Sequence, residues 1–182
     1  MAIDKVTSAS ITTDAVGPTQ LNEASNYAFT GTVTGAGGVN TPAFQAKTSA
    51  SQTVSSDTFA KIQCNTEEFD TAGAYDNSTN YRFTVPSGEA GKYYVYALIT
   101  ANGQTNANTD SANLAIYKNG SSAGGLEFYM HGNPTARYLP VVHFSILDLS
   151  VGDYVELYGR IETDNGADGT IGGTFGAYKI IE

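Results

Sequence analysis

From residue 42 onward, apolar residues fall into short runs that either alternate with polar ones or stay apolar for four to nine positions, with Gly, Asn, Asp and Ser between the runs. This is strand periodicity, and no stretch shows the three-and-four spacing of an amphipathic helix. Strands are predicted near 44–49, 58–64, 81–85, 91–101, 111–118, 126–131, 141–147, 154–162 and 174–181. The run Lys92-Tyr93-Tyr94-Val95-Tyr96-Ala97-Leu98-Ile99-Thr100 is apolar at nearly every position. Such a strand is covered on both faces. A sandwich offers each sheet only one inner face, so either Tyr93/Val95/Ala97/Ile99 or Tyr94/Tyr96/Leu98 needs a cover other than the opposite sheet. Association of subunits is the economical answer, because large aromatic patches are rare on monomers.

Residues 1–40 follow another pattern. They are rich in Ser, Thr, Ala, Gly and Asn and end in Gly35-Ala36-Gly37-Gly38-Val39-Asn40, the composition of a flexible linker. Ahead of it, Tyr27-Ala28-Phe29-Thr30-Gly31-Thr32-Val33 alternates in period two, but the segment holds too few apolar residues for a core. The expected division is an N-terminal attachment arm with its linker at 1–40 and a head at 41–182. The arm is expected to order against a partner; a free tail is the alternative.

Composition agrees with an all-β head. Charged residues are 15% of the chain, against roughly 25% in typical soluble domains, while Gly reaches 20 and Tyr 12. A chain of 182 residues buries roughly 70% of its unfolded surface, so the core needs neither disulfide nor metal. Nine basic against eighteen acidic residues give a net charge of −9, which disfavours nucleic acid and anionic lipid as partners. Cys64 is the sole cysteine, so no intrachain disulfide is available. MAIDKVTSAS has no apolar run after its lysine, and no apolar stretch reaches about 18 residues; neither a secretory signal peptide nor membrane insertion is expected.

Several stretches of the head resemble the globular head of the complement C1q and tumour necrosis factor superfamily. They are Lys61-Ile62-Gln63-Cys64-Asn65, Tyr75-Asp76-Asn77-Ser78-Thr79-Asn80-Tyr81-Arg82-Phe83-Thr84-Val85-Pro86 and Gly91-Lys92-Tyr93-Tyr94-Val95-Tyr96. Laid on the family pattern, Asp70 takes the Asn/Asp place, Tyr75 the second aromatic, Phe83 the Phe before a Pro-containing turn, and Gly91 and Tyr93 the Gly and Tyr. Ile116-Tyr117-Lys118-Asn119-Gly120, Leu149-Ser150-Val151-Gly152-Asp153-Tyr154-Val155 and Thr174-Phe175-Gly176-Ala177-Tyr178 resemble three later motifs in the same order. Cys64 stands where the family has its first aromatic, and Val95 and Ala97 replace later ones. The resemblance implies a ten-strand jelly-roll β-sandwich forming a homotrimer through one sheet. Tyr94, Tyr96, Tyr158 and Phe175 are the residues expected at the trimer interface.

The arm carries a looser resemblance. Ser8-Ala9-Ser10-Ile11-Thr12-Thr13-Asp14-Ala15-Val16 and Phe29-Thr30-Gly31-Thr32-Val33-Thr34-Gly35 are similar to the Thr/Gly-rich shafts and attachment regions of tailed-bacteriophage fibre and appendage proteins. This implies a virion-surface protein, made in the host cytoplasm without a signal peptide, whose residues 1–40 contact other virion proteins. The expected function is a non-enzymatic short fibre or appendage knob; the alternative is a capsid decoration or cement protein that stabilises the shell.

No catalytic constellation appears. His131 and His143, read as one loop and one strand residue, stand in no triad or metal-ligand spacing, and no Gly-x-Ser-x-Gly, His-Glu-x-x-His or phosphate-binding loop is present. Cys64, aligned with a core aromatic, reads as a small buried hydrophobe. Glu67 and Glu68 are adjacent and point apart, so they cannot flank one glycosidic bond and are expected to be solvated. Asp164-Asn165-Gly166-Ala167-Asp168-Gly169 misses the EF-hand template, with Gly166 and Phe175 at ligand positions, and reads first as a turn. No cofactor is expected; Asp164 and Asp168 are the weak candidates for a calcium site of the kind some family members carry. Polar loops at 102–110, 120–137 and 163–172 are expected to face the host surface, with Tyr129, Asn133 and Tyr138 as candidates for a glycan or receptor site.

Overall fold

A computed structural model describes residues 40–104, 107–132 and 136–180, with the backbone alone of 124–129. All of them belong to one compact unit, Gly38–Glu182. The arm expected at 1–40 lies outside the described residues but for Asn40.

Twelve strands and no helix are found among the described residues. They are β1 (Ala43–Lys47), β2 (Gln52–Val54), β3 (Ala60–Lys61), β4 (Thr66–Asp70), β5 (Tyr75–Asp76) and β6 (Arg82–Thr84), followed by β7 (Gly91–Asn102), β8 (Thr109–Lys118), β9 (Ser121–His131), β10 (Tyr138–Leu149), β11 (Tyr154–Thr163) and β12 (Gly169–Lys179). The first sheet runs β10-β7-β12-β1-β4 with β2 added on β12; the second runs β5-β6-β11-β8-β9 with β3 added on β11. All pairings are antiparallel. The two five-strand paths make the ten-strand jelly roll expected from the sequence, and β2 and β3 are short additions to it.

The sheets meet along alternate residues. Phe44, Ala46, Tyr93, Val95, Ala97, Ile99, Val141, Ile171, Phe175 and Ala177 of the first sheet face Tyr75, Phe83, Leu114, Ile116, Val155, Leu157 and Ile161 of the second, all buried. Phe44 is the hub: it stacks on Tyr75 at 4.6 Å and on Phe83 at 5.0 Å and meets Phe175 edge-on at 5.2 Å. Each such side chain contributes about 1.5–3 kcal/mol by leaving water. The residues that carry the family resemblance converge here. The Asp70 carboxylate accepts the Tyr75 backbone N–H at 2.7 Å, and the Tyr75 hydroxyl donates to the Cys64 carbonyl at 3.0 Å.

Several predicted elements change. The strand expected at 58–64 pairs only over Ala60–Lys61, yet Ile62 and Cys64 still point inward. No strand is read from the sequence over β4, which has one apolar residue among Thr66-Glu67-Glu68-Phe69-Asp70. It is an edge strand, where only one flank must pair and polar side chains meet water on the other. The strand expected at 126–131 begins earlier, so β9 takes up 121–131 of the loop region expected at 120–137. Asn119 and Gly120, at φ 52° and 78°, reverse the chain in two residues, the left-handed pair that a tight hairpin needs. His131 ends β9, where the expected strand 126–131 also ends, and 169–172 of the third expected loop belong to β12.

Candidate functional site

Burial of Tyr93, Val95, Ala97 and Ile99 turns Tyr94, Tyr96 and Leu98 outward, which resolves the choice that the β7 sequence leaves open. Strand register extends them into three rows. Ile146, Tyr94 and Tyr178 form one, Phe144, Tyr96 and Gly176 the next, and Val142, Leu98 and Thr174 the third, across β10, β7 and β12. Phe144, Ile146 and Val142 are 62%, 59% and 56% exposed. Tyr94 touches the rings of Phe144 (5.8 Å), Tyr178 (5.3 Å) and Tyr96 (6.1 Å). Tyr94, Tyr96, Leu98, Val142, Phe144 and Tyr178 line a shallow, almost wholly apolar depression, and none of them is charged.

The flank of the depression toward β1 and β4 is polar. The Tyr96 hydroxyl donates to Gln45 Oε1 at 2.7 Å, Gln45 Nε2 donates to Glu68, and Lys47 pairs with the same carboxylate at 2.5 Å. A bulge between Gln45 and Ala46 in the β1–β4 register brings Glu68 to this side. Lys47 and Gln45 hold the Glu68 carboxyl below its ordinary range. Burial, and then the Glu68 charge, push the Tyr96 hydroxyl above its own.

The outer face of the second sheet is built differently. Tyr117 stacks on Tyr158 at 3.9 Å, the Lys61 ammonium lies 6.0 Å from the Tyr158 ring, and the Arg82 guanidinium lies 4.1 Å from that of Tyr154. Glu156, only 3% exposed, pairs with Lys61 at 2.5 Å; Arg160 pairs with Asp57 and, at 3.7 Å, with Glu162. Charges and rings on this face engage one another.

The residues singled out from the sequence are dispersed by this arrangement. Tyr94 and Tyr96 lie in the depression. Tyr158 faces outward from the opposite sheet, on the far side of the sandwich. Phe175 is fully buried against Phe44 and Tyr75, so it belongs to the core of the single chain and not to a contact between chains. Tyr138 is 62% exposed on β10, and its alternation with buried Leu139 and Val141 puts it on the same outer face as Val142 and Phe144. The Tyr129 side chain and Asn133 lie outside the described residues. Asp164 is engaged by Asn108, whose backbone N–H and Nδ2 donate to it at 3.1 and 3.0 Å, while Asp168 is exposed. No group of three His, Cys, Asp or Glu able to hold a metal occurs among the described residues. Glu67 and Glu68 are exposed. Cys64 is buried, and burial pushes its thiol up to about 12, which removes the thiolate that reactivity needs.

Val142, Phe144 and Ile146 were missed as site residues. Their signal was present: in 141–147 the even set is wholly apolar, while the odd set contains His143 and Ser145.

No family model matches the chain, and no curated protein matches it. Solved structures do. The globular domain of a zebrafish complement 1qA protein aligns at a TM-score of 0.51 and 17% identity, covering 76% of this chain and 97% of that one. The Eiger TNF of S. frugiperda aligns at a TM-score of 0.51 and 16% identity, covering 76% of this chain and 91% of that one. The chain has the C1q/TNF-like jelly-roll fold.

Proposed function

We propose that the chain is a non-enzymatic binding and assembly head that joins copies of itself through the outer face of the first sheet. One observation carries this: a strip of Tyr94, Tyr96, Leu98, Val142, Phe144, Ile146 and Tyr178, without a charged member, on a chain of net charge −9. Copies of so acidic a protein repel one another over most of their surface. An uncharged aromatic strip is where they can meet, and its burial supplies the driving force. The second sheet's self-paired outer face has no such need. Three copies is the stoichiometry implied by the resemblance to the C1q and TNF family.

In this proposal residues 1–40 tie the trimer to a larger particle, and the loop ends of the sandwich face outward. The Thr/Gly-rich arm supports a tailed-phage virion as that particle, with the head as a short fibre or appendage knob that recognises a host-surface glycan or protein. Light scattering on the full chain tests the assembly, with a mass of three chains expected. Binding to intact host cells is expected for the knob; binding to empty capsids without cell binding would transfer the role to shell decoration. Release of reducing ends from host polysaccharide would overturn the non-enzymatic reading.

A further inference from the structure

We propose that Gly176 and Gln45 are positioning residues of this face, holding the Tyr96 ring down across β12 so that it forms the floor on which a second copy seats. The inference rests on the assembly proposed above and adds what shapes its surface. A tyrosine on a sheet ordinarily stands away from it. Tyr96 instead lies over its cross-strand partner Gly176, so closely that a Cβ there would overlap the phenol end of the ring. Beyond Gly176, the next residue in register is Gln45 on β1, and the Tyr96 hydroxyl ends on its Oε1 at 2.7 Å. The ring thus bridges three strands, which is possible only where the middle one has no side chain.

Two consequences follow for a partner. With Tyr96 down, the depression beside Tyr94, Phe144 and Tyr178 stays open; with Tyr96 upright, the ring would fill it. The hydroxyl, which would cost free energy if buried unpaired under a second copy, already has its acceptor. Gln45 is in turn held by Glu68, and Glu68 by Lys47, so the polar rim is engaged before any partner arrives. Such a preformed floor with a polar rim is the anatomy of a contact that excludes water from its centre.

The test is sedimentation equilibrium of the full chain, as wild type, Tyr96→Phe, Gln45→Met and the double variant, with far-UV circular dichroism to confirm folding. Tyr96→Phe keeps the ring and removes only its tether; Gln45→Met keeps the length and removes the acceptor, together with the amide that donates to Glu68. Each is expected to weaken association about 10-fold, and the double variant no more than either single one, because both break the same link. Gly176→Ala is expected to weaken it further in any preparation that remains folded. A trimeric wild type whose single variants associate normally, or whose losses multiply, would overturn the positioning role while leaving the assembly intact. A monomeric wild type would overturn the assembly and the positioning role with it.

Discussion

The two outer faces of the sandwich are made by strands of similar length from one chain, yet they solve opposite problems. On the second sheet, Lys61, Arg82, Glu156 and Arg160 are knitted to tyrosines and to one another, so water or solute meets a surface whose charges are already paired. On the first sheet, the middle of β10, β7 and β12 presents rings and aliphatic chains with no such finish, and on the β1 side pairing begins at Gln45, Lys47 and Glu68. The presence of aromatics does not distinguish the faces, since both carry tyrosines. What distinguishes them is that cations lie against the rings of Tyr158 and Tyr154 on the second face, whereas the rings at the centre of the first lie against one another and against aliphatic chains.

The sharpest break between core and face concerns Phe175. Because it is buried against Phe44 and Tyr75, Phe175→Ala is expected to destabilise each chain by about 3–5 kcal/mol, seen as a lower melting temperature, while the folded fraction keeps the wild-type mass. Loss of assembly without loss of stability would return Phe175 to the interface. Next in size is a charge placed on each face in turn. Phe144→Asp should weaken association at least about 100-fold, whereas Tyr117→Glu on the second sheet should leave the sedimentation profile unchanged. Equal effects would erase the difference between the faces.

A smaller effect is expected at the charge network. Glu156→Gln leaves Lys61 without its carboxylate beside the Tyr158 ring, for about 1–2 kcal/mol on chemical denaturation, and no change in mass. The smallest is an acid effect at the turns. Lys118, Asn119 and the Ser150 N–H hold the Asp153 carboxyl down at about 2, with the Asn119 amide the largest influence. Because the folded value lies below the unfolded one, this contribution is complete above about pH 4 and is lost as pH falls toward 2. Asp153→Asn should flatten a melting-temperature profile over that window; an unchanged slope would show that other carboxylates carry it.

Much of the fold was legible because long strands advertise themselves. The sequence of β7 announced a strand apolar on both faces, and the family motifs around Tyr75, Phe83 and Tyr93 fell into one core. Face assignment was harder. Phe175 sits between Thr174 and Gly176 in a glycine-rich strand, so its neighbours do not say which way it points; only pairing with β7 fixes that. Tyr158 alternates correctly as an outward residue, but periodicity within one strand cannot say to which of two sheets the strand belongs. β4 escaped notice because an edge strand with Glu67 and Glu68 has neither the alternation nor the apolar content of an interior one. The interface candidates on β10 were visible as an alternation, but their importance depends on their register with Tyr94 and Tyr96, a long-range fact.

The pairing of β1 with β12 sets the order of events during synthesis. Ala43 lies opposite Tyr178, and β12 separates β1 from β7 in the first sheet. A ribosome must therefore release nearly the whole head before the sheet that carries the depression can close. Contacts so distant in sequence make folding slow. They also mean that a truncated or still-growing chain cannot display Tyr178 beside Tyr94, so under the proposed assembly nascent heads on neighbouring ribosomes would lack the complete surface.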